Sequence, residues 1–145
     1  MNMRMTKIII ALIILFMPFY SCQLFSDFLA GTEVIKIVGV DSNGDLILKD
    51  ASDSSAKVFK VKAGTKIKWK INTDMVDSIV NIYKKTTVPS DNIFSSGPEP
   101  INNSKDWKAT VNPAAVDSQY IEYNIKWKDA ADSVHIYDPR IQVKS

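Results

Sequence analysis

The chain of 145 residues holds one cysteine, Cys22, and one histidine, His135. A single thiol cannot close an internal disulfide, and a single imidazole excludes a metal centre built from several histidines. Nucleophilic catalysis needs a hydroxyl or thiol placed beside a base, yet Ser95-Ser96-Gly97 is not a Gly-x-Ser-x-Gly elbow. No P-loop or dinucleotide fingerprint is present either. His135 lies between Val134 and Ile136 in a segment of strand character and reads as a hydrogen-bonded structural residue. Asp41, Asn43 and Asp45 have the spacing of calcium-loop ligands, but an EF-hand loop needs Gly at position six and Glu at position twelve. Here Gly44 is fourth and Ser52 twelfth, so a hairpin turn accounts for them. The residues predict a protein that is not an enzyme and carries no cofactor or metal.

Recognition is the chemistry that remains. Trp107 stands between Lys105-Asp106 and Lys108, at the end of a Ser-, Pro-, Gly- and Asn-rich stretch over 86–106. It is the candidate ligand-contact residue, able to stack on a sugar ring, with Tyr120 and Tyr137 as companions. Trp69 and Trp127 share the parity of neighbouring isoleucines and are expected in the core. Lys66, Lys68 and Lys70 project from one strand face, and Lys60, Lys62, Lys126 and Lys128 extend that stripe if their strands are neighbours. A stripe of this kind is ordinarily a solvated face that discourages edge pairing; facing anionic headgroups or an acidic glycan is the functional alternative.

The formal net charge of +2 is unevenly placed. Arg4 and Lys7 are the only charges before Asp27, so without the first 21 residues the chain has sixteen basic and sixteen acidic side chains. A neutral domain is not expected to bind nucleic acid. Arg4 and Lys7 lead into the apolar run Ile8 to Met17, then Pro18 and the small residue Ser21. This is the layout of a secretory signal, and the stretch from Ile8 to Tyr20 would reach only about 20 Å as a helix, short of a bilayer core.

Phe19-Tyr20-Ser21-Cys22 resembles the lipobox of bacterial lipoproteins, in which a small residue precedes an invariant Cys. The resemblance implies a signal peptide over residues 1–21, a diacylglyceryl thioether and an amide-linked acyl chain on Cys22, and a lipidated tether over 22–31. Two or more acyl chains anchor stably where one does not. Gln23 is not the Asp associated in that family with inner-membrane retention, and Leu24-Phe25-Ser26-Asp27 is not a dense acidic export patch. The expected location is the cell envelope, on the periplasm-facing side of the outer membrane, with membrane lipid as the partner of Cys22.

The elements that must position these residues are strands. From Cys22 onward the chain has 25 Val and Ile against 4 Leu, a bias toward β structure. Strict alternation marks Lys66 to Ile71 and Ile121 to Lys128. Shorter strands are expected over 32–40, 45–48, 57–62, 78–84, 107–111, 133–137 and 141–144, with 86–106 as one long irregular loop. The Asn43-Gly44 pair and Ala63-Gly64-Thr65 supply tight turns. The expectation from these strands is an all-β, two-sheet sandwich over 32–145.

Ala63-Gly64-Thr65-Lys66-Ile67-Lys68-Trp69-Lys70-Ile71-Asn72-Thr73-Asp74 is similar to the "AGDTVTWxNxD" strand of cupredoxins. Tyr123-Asn124-Ile125-Lys126-Trp127, followed by His135, Pro139, Ile141 and Val143, is similar to their closing strands. The copper ligands are missing: no histidine lies near 77–80, Trp127 stands where the Cys belongs, and no Met follows His135. The resemblance implies a Greek-key β-sandwich, cupredoxin-like or immunoglobulin-like, without electron transfer. The leading expectation is a lipid-anchored envelope module, ligand- or partner-binding or structural, whose partner is an envelope protein or glycan. A degenerate cupredoxin-like metal-binding protein and a carbohydrate-binding or adhesin module are the alternatives.

Overall fold

The computed structural model describes residues 31–145. The expected signal peptide, Cys22 and the expected tether up to residue 30 lie outside the described residues. The strands are β1 (Thr32–Val40), β2 (Leu46–Lys49), β3 (Val58–Val61), β4 (Lys66–Ile71), β5 (Val76–Lys84), β6 (Phe94–Pro100), β7 (Trp107–Val111), β8 (Tyr120–Asp129), β9 (Val134–Tyr137) and β10 (Arg140–Val143), and the described residues form no helix. The protein is all-β, with two mixed sheets. The first has the order β2-β1-β4-β7-β6; the second has β3-β10-β8-β5, with β9 also on β8.

Both sheets are mixed because one pair in each is parallel. β1 lies parallel to β4, with Thr32 opposite Lys66 and Ile37 opposite Ile71, and β3 lies parallel to β10. β9 and β10 behave as one strand interrupted at Asp138-Pro139. They keep a single register along β8, with Tyr137 opposite Ile125 and Arg140 opposite Glu122, and the Tyr123 N–H donates to Pro139 O across the break at 3.3 Å.

The inner faces of the two sheets share one hydrophobic core. Alternation makes this face legible: Ile67 and Trp69 on β4, and Ile121, Tyr123, Ile125 and Trp127 on β8, are 0–1% exposed. Trp69 of the first sheet and Tyr123 of the second meet edge-on, ring centres 5.8 Å apart, and the Trp69 indole N–H donates to the Tyr123 hydroxyl at 3.1 Å. An aromatic pair thus joins the sheets, with the indole N–H satisfied by the phenol oxygen. On β1 the pairing slips between Ile37 and Gly39, so Val40 returns to the core side and Gly39 faces outward beneath Ile47 and Met75.

Three loops repeat one device. Asp41, Asp50 and Asp129 each place Oδ1 to accept the backbone N–H groups two and four residues on, at 2.8–3.0 Å. The residue three positions on takes positive φ in each: Gly44 at 85°, Asp53 at 61° and Asp132 at 64°. This is the three-residue loop of a type I turn followed by a left-handed residue, with the first carboxylate holding donors that would otherwise be exposed.

The expected irregular segment over 86–106 contains a strand. β6 pairs with β7 despite Gly97, Pro98 and Pro100, through two slips of register. It is an edge strand, where a missing N–H costs nothing on the solvent side. Gly97, at φ 74°, lies so close to β7 that a Cβ there would stand 2.6 Å from Lys108 O. The Gly97-Pro98 peptide is cis.

Candidate functional site

One concavity beside a sequence-marked tyrosine lies where the free edge of β2 and the end of β9 approach from opposite sheets. It is an open cleft of about 340 Å³ reached by Tyr137, Asp41, Asp45, Lys49 and Lys57. The first hairpin brings in the aspartates, since its loop folds over the end of β2. Tyr137 arrives because it stands opposite Ile125 on the core side of β9, with its ring 6% exposed. Burial raises the pKa of its phenol, and the negative charges of Asp45, Asp138 and Asp41 raise it further. The phenol therefore stays protonated through neutral pH, in a cleft whose lining carries both carboxylates and lysines. Both charge signs together with a hydrogen-bond donor suit a polar ligand.

The three expected contact residues are not brought together. Trp107 was expected at the surface and is a core residue, 8% exposed, because its strand places it opposite Trp69 and beneath the first sheet. Tyr120 is half-buried and already engaged: the Arg140 guanidinium lies 4.6 Å over its ring, and its hydroxyl donates to Pro89 O at 3.3 Å. Arg140 in turn pairs with Glu122. Only Tyr137 reaches a cleft. Trp69 and Trp127 are in the core as expected.

His135 has a defined setting. Its ring stacks on Trp127 with centres 4.4 Å apart and planes at 22°, and Nε2 lies 2.9 Å from Asp129 Oδ2. Asp129 also holds the 130–133 loop. Its carboxyl sits below the ordinary carboxylate range, first through the hydrogen bond with His135 and then through the Ser133 and Ala131 N–H groups. Trp127 Nε1 is buried without a hydrogen-bond partner among the described residues. For the metal-binding alternative, no three His, Cys, Asp or Glu side chains among the described residues are grouped to hold an ion. The Asp41 carboxylate serves its own turn, and Asp53 pairs with Lys36 at 3.0 Å.

The lysine stripe is rearranged. β4 belongs to the first sheet, whereas β3 and β8 belong to the second, so Lys60, Lys126 and Lys128 do not extend the row of Lys66, Lys68 and Lys70. The true neighbours are Lys36 on β1, Lys49 on β2 and Lys108 on β7. Sequence reasoning passed over these three because a lysine row on one strand does not say which strands flank it. Their parity, opposite to Ile35, Leu48 and Ala109, was the available signal. Asp106 was missed as well: 9% exposed, it accepts from the Ile71 N–H at 3.3 Å and pairs with Lys68 at 2.9 Å, pinning the 101–106 loop to β4.

No protein-family model matches this chain, and no curated protein matches it in sequence.

Proposed function

We propose that the protein is a cell-envelope lipoprotein, anchored by acyl chains on Cys22, whose domain is a non-enzymatic binding or structural module with membrane lipid as one partner and an envelope protein or glycan as the other. The observation that carries this reading is the position of Cys22. The sole cysteine follows Ser21 at the end of a basic-then-apolar segment, nine residues before the first described residue, Gly31. The expected location remains the periplasm-facing side of the outer membrane.

The finer fold assignment, a Greek-key β-sandwich of cupredoxin-like or immunoglobulin-like type, belongs to the same reading. Two sheets closing on one core, with β1 parallel to β4 and β3 parallel to β10, support it. The partner-contact surface we favour is the Tyr137 cleft in place of the 86–106 segment, since it offers both charge signs and a protonated phenol.

The direct test is Cys22→Ser, followed by acyl labelling and membrane fractionation in a bacterial host. Loss of label and release of the chain from the lipid-modified membrane fraction are expected. Undiminished labelling would remove the assignment.

A further inference from the structure

We propose that the outer face of the first sheet is a docking surface for anionic phospholipid headgroups, which lays the domain against the membrane that holds its anchor; this rests on the lipoprotein reading above. The observation is a lattice of like charges that cross-strand pairing puts face to face. Lys36 stands directly opposite Lys49 on one side and Lys70 on the other, and Lys68 stands directly opposite Lys108. Opposed strand positions lie about 5 Å apart, and like charges there destabilise a sheet. The second sheet contains no such pairing on its outer face: Lys126 is opposite Asn81 and Ile136, Lys128 opposite Ser78 and Val134, and Arg140 opposite Glu122 and Val58.

Carboxylates answer only half of the lattice. Asp53 pairs with Lys36, Asp106 with Lys68 and Glu99 with Lys108, at 2.9–3.2 Å. Lys49, Lys66 and Lys70 have no carboxylate within ion-pair distance among the described residues. The face therefore carries an excess of three positive charges on a domain whose formal total is only +1, a local field larger than the net charge shows. Period-two alternation puts these ammonium groups on one side of the sheet, which fits a layer of headgroup phosphates.

The route of the chain makes lipid the occupant. β1 enters within this sheet, and Gly31 O accepts the Lys66 N–H at 3.1 Å, so the tether leaves from the border of the lysine lattice. The residues from Gln23 to Gly31 extend to at most about 30 Å. That span lets the face reach the bilayer surface, where attraction acts over a screening length of about 10 Å. Each ammonium drawn to an anionic surface favours the docked state by about fivefold.

The test uses the full acylated chain reconstituted into vesicles of phosphatidylcholine, or of equal parts phosphatidylcholine and phosphatidylglycerol. Lysines are modified by a water-soluble acylating reagent and mapped by mass spectrometry, with Lys60 and Lys126 of the second sheet as internal references. Modification of Lys49, Lys66 and Lys70 is expected to fall about fivefold or more relative to the references in the anionic vesicles alone, and to recover in high salt. A K66Q/K70Q chain is expected to lose the protection of Lys49. Equal modification in both vesicle types, on a chain that floats with them, would overturn the docking surface and leave the anchor standing. Protection of Lys60 and Lys126 instead would overturn it too, as would protection by a soluble anionic polysaccharide without protection by lipid. A chain that floats with neither vesicle would overturn the anchor, and the docking proposal with it.

Discussion

Replacing Tyr123 with Phe removes one oxygen and tests whether the two sheets are joined through the Trp69–Tyr123 hydrogen bond. Both side chains are 0% exposed, and the bond is 3.1 Å long. In the variant the ring and its edge-on contact remain, but the fully buried indole N–H loses its acceptor. Leaving a buried donor unsatisfied costs about 1–3 kcal/mol, and the better-packed part of that range, about 1–2 kcal/mol, applies because the ring itself is retained. For a unit of this size about 1 kcal/mol lowers the melting temperature by roughly 4 °C, so a fall of roughly 4–8 °C is expected. Urea unfolding followed by tryptophan fluorescence, in wild type and variant under identical conditions, reads the shift in midpoint at constant slope. Trp69→Phe and the double variant complete a cycle, and the coupling should be about 1 kcal/mol. A shift equivalent to less than about 0.3 kcal/mol, or additivity of the two substitutions, would refute the claim that this bond matters to the joining of the sheets.

Gly97→Ala is expected to destabilise by about 1–3 kcal/mol, since the new methyl meets Lys108 O and the backbone holds positive φ; a thermal melt unchanged within error would count against the observed pairing of β6 with β7. The lowered pKa of Asp129 means that its contribution is present above about pH 4 and is lost as pH falls through the still lower folded value, so His135→Ala should make acid unfolding begin at higher pH. Identical acid midpoints would remove the His135–Asp129 pair as a stabilising contact. Tyr123 and Tyr137 have raised pKa values, chiefly from burial, so their protonated forms stabilise the fold fully below pH 10.0 and that contribution fades as pH rises through the folded values. Spectrophotometric titration should therefore show two phenols ionising late, together with unfolding, and Tyr137→Phe should remove one of them.

Much of the architecture is legible because burial imposes a period of two. The alternation in Lys66 to Ile71 and in Ile121 to Lys128 marks strands, and it also assigns each side chain to a face: Trp69 and Trp127 are in the core where parity puts them. Alternation fails where pairing tolerates irregularity. Phe94–Pro100 has the composition of a loop, and only the adjacency of β7 makes it a strand. Trp107 misled for a related reason. Its charged neighbours suggest exposure, but they stand at the parity opposite to Trp107: Asp106 folds onto the sheet to meet Lys68 and the Ile71 N–H, and Lys108 points out.

The candidate surfaces depended still more on long-range pairing. The cleft at Tyr137 is made by β2 and β9, almost ninety positions apart in the chain, and no local signal relates them. The lysine row of β4 could be read directly, but its partners could not, because strand order is decided by which inner faces close on a common core. The sequence alone determined the all-β class of the described residues, the faces of the regular strands, the neutrality of the chain beyond the first 21 residues and the placement of the sole cysteine just after an apolar run. Those are properties of composition and of spacing along the backbone. Tertiary structure alone decided that Lys36, Lys49, Lys66, Lys68, Lys70 and Lys108 share one face and that Lys126 and Lys128 lie on another. The reason is physical: like charges repel and would not choose one another, so their adjacency is set by the burial of the isoleucines, tryptophans and valines on the opposite side of the same strands.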